Sequence, residues 1–362
     1  MELSLKKPKF VLADLDLPIK SKKLFNPLVD DDDIRIIGGD STNLLNLENI
    51  KFQWAHDIFD AIYSNNWLPH KVPMGADKQR YHELTEDERD AFEIIVSFLV
   101  FLDSIQTNNL GNIADYITAP DVTYVLARQT YDEAIHSKSY GWLLSSMFTK
   151  QEAKAIVYKW RTHEVLANRI KHITGIYQDL VDNPTLKNLF RAVVANYLLE
   201  GLYFYNGFQF FHNLNARGLA TGTDTQIRYI QRDEIQHCNI FKNIIKEIKK
   251  ENPELWDLFR PVMQELFLEA ATWEIDFSNA ILGNRILGIT EKSIQDYTHY
   301  LINDRLKDIG EAPLCPKIAK NPYKHLERIA GVEDESSNRS NNFEVTSINY
   351  KNISIVKGFD DI

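Results

Sequence analysis

An all-α fold is predicted by three features of the sequence. Apolar residues recur at three- and four-residue spacing from about Leu47 to Ala330, the interruptions are short turn signals, and glycine and proline are scarce, at 15 and 12 of 362 residues. Hydrophobic residues make up 44% of the chain and charged residues 25%, which suits a globular protein of long regular elements rather than a disordered one. The formal net charge of −10 argues against a protein that grips nucleic acid by its phosphates, a task that needs a basic face. Cys238 and Cys315 match no paired-cysteine spacing, so neither a disulfide framework nor a structural zinc is expected, and a reducing compartment follows. The longest apolar stretch, Ile94 to Leu102, is interrupted by Ser97 and is too short to span a bilayer; a cytoplasmic protein without membrane contact is expected.

In chain order, residues 1–46 hold Pro8, Pro18, Pro27, the acidic run Asp30 to Asp33 and the Gly38-Gly39 pair, with no sustained helical period, and read as an extended N-terminal arm. Residues 47–330 carry the helical pattern and form the bundle, with turns signalled at Trp67 to Gly75 and at Asp182-Asn-Pro184. From Gly331 onward the stretch GVEDESSNRSNN is polar and reads as a flexible linker. The last segment, Phe343 to Ile362, mixes isolated aromatics with polar residues and reads as a tail that orders on a partner.

Within the bundle, Thr85 and Glu88 form a capping box that opens a helix whose apolar face continues through Phe92, Ile95 and Leu99. Asp103 falls on that face. A carboxylate at a core position costs several kcal/mol unless it is paired, hydrogen-bonded or bound to metal. Taken alone, such an Asp reads as a hydrogen-bonded or helix-end residue. The next helix, Val122 to Met147, places Val125, Gln129, Glu133, His136 and Tyr140 on one face, so that Glu133-x-x-His136 can present a carboxylate and an imidazole to the same or adjacent ions. One such motif is common on solvated helix surfaces.

Then it recurs. Another helix holds Val193, Tyr197, Glu200, Phe204 and Phe208 on one face, which puts a further acid among apolar residues. After it, the face Ile227, Ile230, Glu234, His237, Phe241 carries Glu234-x-x-His237, while Cys238 points elsewhere. An acid from each of two helices with Glu-x-x-His from two more is the pattern of ferritin-like dinuclear iron and manganese proteins, here with Asp103 in place of one glutamate. Carboxylates with one imidazole per ion suit iron or manganese better than thiolate-loving metals. The competing reading, a bundle with buried ion pairs and no metal, requires all these acids and histidines to share apolar faces for unrelated reasons.

Four blocks go further: FLDSIQ at 101–106, DEAIHSKSY at 132–140, YLLEGLYFYNGFQF at 197–210 and QRDEIQH at 231–237 resemble, in order and spacing, those of class I ribonucleotide reductase small subunits. The resemblance covers about 47–330 and reappears in the tail. It implies that Asp103, Glu133 and His136 bind one metal ion and Glu200, Glu234 and His237 the other, with Glu133 and Glu234 as bridging candidates. The cofactor is then two metal ions per chain, iron first, with a manganese pair as the alternative. Tyr140 corresponds to the tyrosine that becomes a radical in the common subclass, and Phe204, Phe208 and Ile230 to the apolar pocket around it. Trp67 and Asp233 match the outward relay through His136, and Tyr350 the tail tyrosine that passes the radical on. The partners implied are the large subunit, docked through the tail that ends Phe359-Asp-Asp-Ile362, and a second copy in a homodimer. The large subunit binds and reduces the ribonucleotide, and this chain supplies the initiating radical.

Tyr140 argues against the subclass that replaces this tyrosine by phenylalanine and uses a mixed metal pair. Other relatives keep a tyrosine yet leave the oxidant on two manganese ions, so both storage sites stay open. The stretch before residue 45 leaves no room for an added nucleotide-sensing domain, which would assign allosteric control to the partner. Two rival functions share the scaffold: an oxidase or monooxygenase needs a substrate channel but neither Trp67 nor Tyr350, and a storage protein needs a large iron load and a cage.

Overall fold

The structure, a computed structural model, describes residues 15–29, 31 and 34–329. Helix α1 (Gln53–Ser64) leads into a turn that includes a short 3₁₀ segment at Pro69–Lys71, followed by α2 (Gly75–Arg80). The capping box then forms as its sequence predicts. Thr85 Oγ1 accepts from the Glu88 amide at 3.2 Å and the Glu88 carboxylate accepts from the Thr85 amide at 2.9 Å, which satisfies two donors that a helix start leaves open. From this cap runs α3 (Glu86–Ala114), followed by α4 (Pro120–Met147), where Pro120 occupies the first turn and its missing N–H costs nothing. A second capping box, Thr149 with Glu152, starts α5 (Lys150–Val157), and α6 (Glu164–Asp182) ends before Pro184.

Next comes α7 (Leu186–Leu198), a π-helical turn (Leu199–Tyr203) and α8 (Tyr205–Ala216), where the apolar period alone predicts one unbroken helix. The chain continues with α9 (Thr221–Glu251), α10 (Pro253–Ile281), α11 (Glu291–Asp308) and α12 (Lys324–Ile329). Helix α3 packs on α4, α4 on α9, α9 on α7 and α7 on α3, so these four close a ring around a common interior. Phe92, Phe98, Phe190, Phe204 and Phe208 are fully buried in the core. Each contributes roughly 1.5–3 kcal/mol of apolar burial, the reserve against which buried polar groups are carried. Among the described residues there is no strand, only isolated bridges at Pro18–Thr185 and Ile37–Ile117, and no helix is long and apolar enough to cross a membrane.

The described part of the arm carries no α-helix and is pinned to helix ends. Lys22 Nζ donates to the carbonyls of Ala114 at 2.8 Å and Ile117 at 3.1 Å, at and just past the negative end of the α3 dipole. Farther along, Glu251 at the end of α9 accepts from the Ile36 amide at 3.1 Å. All described residues fall within one unit, Met1–Ala330.

Candidate metal centre

The ring of helices aims six ionisable side chains at one interior point, and all six have no solvent exposure: Asp103 from α3, Glu133 and His136 from α4, Glu200 from the π-helical turn, and Glu234 and His237 from α9. The i, i+3 spacing in α4 and α9 sets each glutamate beside its own histidine. Helix packing then brings the two pairs face to face, with imidazole centroids 5.6 Å apart. His136 Nδ1 lies 3.2 Å from Glu234, 3.7 Å from Glu133 and 3.8 Å from Asp103. His237 Nδ1 lies 3.0 Å from Glu234, 3.2 Å from Glu133 and 3.8 Å from Glu200.

Two clusters of ligand atoms result, Asp103, Glu133, His136 and Glu234 in one and Glu133, Glu200, Glu234 and His237 in the other, each within 4.8 Å. They share Glu133 and Glu234. Each of these glutamates turns one oxygen to each histidine, Glu133 with Oε2 to His136 and Oε1 to His237, Glu234 with Oε1 to His136 and Oε2 to His237.

Glu200 is prepared differently. Its Oε1 accepts from three side-chain amides, Gln106, Gln129 at 2.7 Å and Asn196 at 3.1 Å, while Oε2 is left without a hydrogen bond and faces the centre. Gln106 and Asn196 carry no metal-ligand signal in the sequence. Their one clue is that both are amides at helix positions that face the core. The π-helical turn inserts extra backbone where Glu200 sits, a distortion that concentrates at functional sites. Arg305 of α11 donates to the Gly201 carbonyl at 3.0 Å in that turn. No side chain fits at 201, because a Cβ there would stand 2.6 Å from Arg305 Nε and 3.0 Å from the Cys238 sulfur.

The electrostatics carry the test of whether these residues fit a metal pair. Burial, then Glu133, pushes the Asp103 carboxyl well above its usual range, and burial with Glu234 and Glu133 does the same to Glu200. Burial also works against charging Glu234, but His237 and His136 outweigh it and hold that carboxyl far below its usual value. In both histidines burial is likewise outweighed: Asp233, Glu133 and Glu234 raise His136, and Glu133 and Glu234 raise His237. Both Asp103 oxygens, Glu133 Oε2, Glu200 Oε2, Glu234 Oε1 and His136 Nδ1 find no hydrogen-bond partner although fully buried. Such orphaned atoms are rare and expensive unless something else satisfies them. Four carboxylates match the charge of two divalent cations, and the oxygen-rich donor set with one imidazole per cluster fits hard ions such as iron or manganese.

Of the other residues singled out by sequence, Tyr140 and the Trp67–Asp233 pair adjoin the centre. Tyr140 is buried, and its hydroxyl approaches Asp103 without a well-formed hydrogen bond; burial, then the Asp103 charge, holds its pKa well above the usual phenol value. Phe204, Phe208 and Ile230 are buried, and the two phenylalanine rings stack at 5.8 Å. Trp67 Nε1 donates to Asp233 Oδ2 at 2.8 Å, and the same oxygen lies 3.4 Å from His136 Nε2. Burial would raise the Asp233 pKa, but His136, Arg232 and Trp67 hold it below the usual carboxylate value. Tyr350 lies outside the described residues.

Residues 44–322 match the family model for the ribonucleotide reductase small chain. The chain is 38% identical over 285 residues to the ribonucleoside-diphosphate reductase subunit beta of Treponema pallidum, covering 77% of this chain and 80% of that one. It is 33% identical over 345 residues to the subunit of the same name from Halalkalibacterium halodurans, covering 95% and 99%. Its structure is similar to the ribonucleotide reductase R2 subunit from Clostridium botulinum, with a TM-score of 0.85 at 38% identity over 87% of this chain and all of that one.

Proposed function

The chain belongs to the ribonucleotide reductase small-chain family, and from that premise we propose a division of labour among its buried residues. Its activity is that of the beta subunit of ribonucleoside-diphosphate reductase. It generates and stores the oxidising equivalent that starts the reduction of ribonucleotides to deoxyribonucleotides in a large subunit, and small subunits of this family form dimers. The ferritin-like bundle holds a dinuclear metal site.

In the proposed assignment Asp103, Glu133 and His136 hold one ion and Glu200, Glu234 and His237 the other. The observation that carries it is that Asp103 lies against His136 and Glu200 against His237, while Glu133 and Glu234 each turn one oxygen to each imidazole and would be shared. The pair is iron, with two manganese ions as the alternative; when bound it supplies the one-electron oxidising power that no side chain here provides. The Asp103 carboxylate stands ready to take the phenolic proton as Tyr140 is oxidised, and Phe204, Phe208 and Ile230 keep water and reductants from the phenol. Asp233 orients His136 through Nε2 and takes the indole hydrogen bond of Trp67, which links the centre to the half-buried Trp67. Tyr350 continues the relay, residues 331–362 form the linker and tail that dock on the large subunit, residues 1–46 form the arm, and the protein works in the cytoplasm.

Electron paramagnetic resonance on wild type and Tyr140→Phe, each reconstituted separately with iron and with manganese, tests the storage site. A radical signal that the substitution removes, with metal content unchanged, is the expected outcome. An active, metal-coupled signal that survives it would move the oxidant onto the metals and leave Tyr140 a pocket residue.

A further inference from the structure

In each of the stretches 132–136 and 233–237 an aspartate directly precedes the site glutamate, and the bundle crosses them over. Asp233 lies against the histidine of the first stretch, His136, and Asp132 against the histidine of the second, His237, at 3.4 and 3.5 Å from the respective imidazole Nε2. Both aspartates are buried, and each is held by an arginine: Arg128 reaches Asp132 at 2.7 Å and Arg232 reaches Asp233 at 3.3 Å. The two arginines finish on neighbouring residues of one short segment after α1. Arg128 donates to Asn66 Oδ1 at 2.7 Å and Arg232 to the Asn65 carbonyl at 2.5 Å. Trp67, the next residue, donates to Asp233, whereas on the Asp132 side the bonded partner is Arg128.

A histidine offers a lone pair to a cation only at the nitrogen that carries no proton, and the hydrogen bond at its other nitrogen decides which that is. We propose that Asp132 is the positioning residue for His237: by accepting from Nε2–H it presents Nδ1 to Glu133, Glu200 and Glu234, and Arg128 locks Asp132 in that place. This inference rests on the metal-centre assignment above. It separates the two halves of the centre, with Asp233 serving the His136 half and Asp132 the His237 half. Removing such a carboxylate typically weakens metal binding about 10- to 100-fold.

The test is a titration of the full-length chain with manganese(II), following free ion by electron paramagnetic resonance, for wild type, Asp132→Ala and Asp132→Asn, with thermal unfolding of each metal-free protein. Wild type is expected to take up two equivalents per chain. Asp132→Ala is expected to keep one at wild-type affinity and to weaken the other about 10- to 100-fold. Asp132→Asn, which retains an acceptor oxygen but not the charge, falls between. Wild-type affinity for both equivalents in Asp132→Ala overturns the proposal, and so does joint loss of both, which would make Asp132 a general structural residue. Should Asp132→Ala fail to fold, Asp132→Asn decides alone: one weakened equivalent supports the proposal and two unweakened ones overturn it. A wild type that does not take two equivalents overturns the metal-centre assignment itself, whatever the variants do.

Discussion

Glu200, a proposed metal ligand, presents one saturated and one bare oxygen. Three amides saturate Oε1 and leave Oε2 bare inside the bundle, where burial and the nearby Glu234 and Glu133 make its charge costly. Binding competence is therefore held at the expense of stability in the metal-free protein. Replacing Glu200 with Gln keeps the shape and removes the like-charge crowding. We expect tight binding of one metal equivalent to be lost while the metal-free Tm rises by roughly 2–4 °C, as a gain of about 1 kcal/mol gives in a domain of this order of size. Calorimetry of metal-free wild type and Glu200→Gln, with manganese titration of both, checks this; an unchanged or lowered Tm would mean that Glu200 is not under strain. At this scale the sequence was informative about the acids and histidines, because a charged residue on an apolar helical face is itself the anomaly. It was silent about Gln106 and Asn196, since a core amide is unremarkable until its partner is known.

At the scale of elements, a helix and the arm meet at Glu251. The end of α9 accepts the Ile36 amide through this carboxylate, with Arg35 close by at 4.0 Å, and burial pushes the Glu251 pKa up to about 7 against those favourable contacts. A folded-state pKa above the unfolded one means that the native state holds the proton more tightly. The associated stability is complete below the ordinary glutamate range and is lost as pH rises through about 7. Thermal unfolding of metal-free protein from about pH 5 to about pH 8 should therefore fall more steeply for wild type than for Glu251→Gln, in which that titration is absent. Parallel curves would count against it. The periodicity placed the helices that carry Asp103, Glu133-x-x-His136 and Glu234-x-x-His237, and the Thr85 cap formed as written, because capping and i, i+4 patterns are local. The break at Leu199–Tyr203 was not legible: the turn is held by Arg305, more than a hundred positions away, and its apolar residues look the same in either helix type.

At the scale of the whole molecule, both candidate ligand clusters fall within residues 103–237, and the metal centre is expected to form without residues 331–362. Deleting them should leave metal stoichiometry unchanged and the Tm within about 1 °C, as for surface changes generally, while binding to the large subunit, measured by surface-immobilised titration, is lost. Equal binding by the shortened chain would remove the tail from the docking role. The sequence by itself determined the helical class, the candidate ligands and the family resemblance, for a physical reason: helix periodicity ties residues three and four apart to one face, so each Glu-x-x-His is complete within its own helix. Only the tertiary structure decided that Asp132 lies against His237, that Glu133 and Glu234 each face both imidazoles, and that one oxygen of Glu200 is saturated and the other bare. Those relations join side chains of different helices, and their distances are set by how the helices pack rather than by any spacing along the chain.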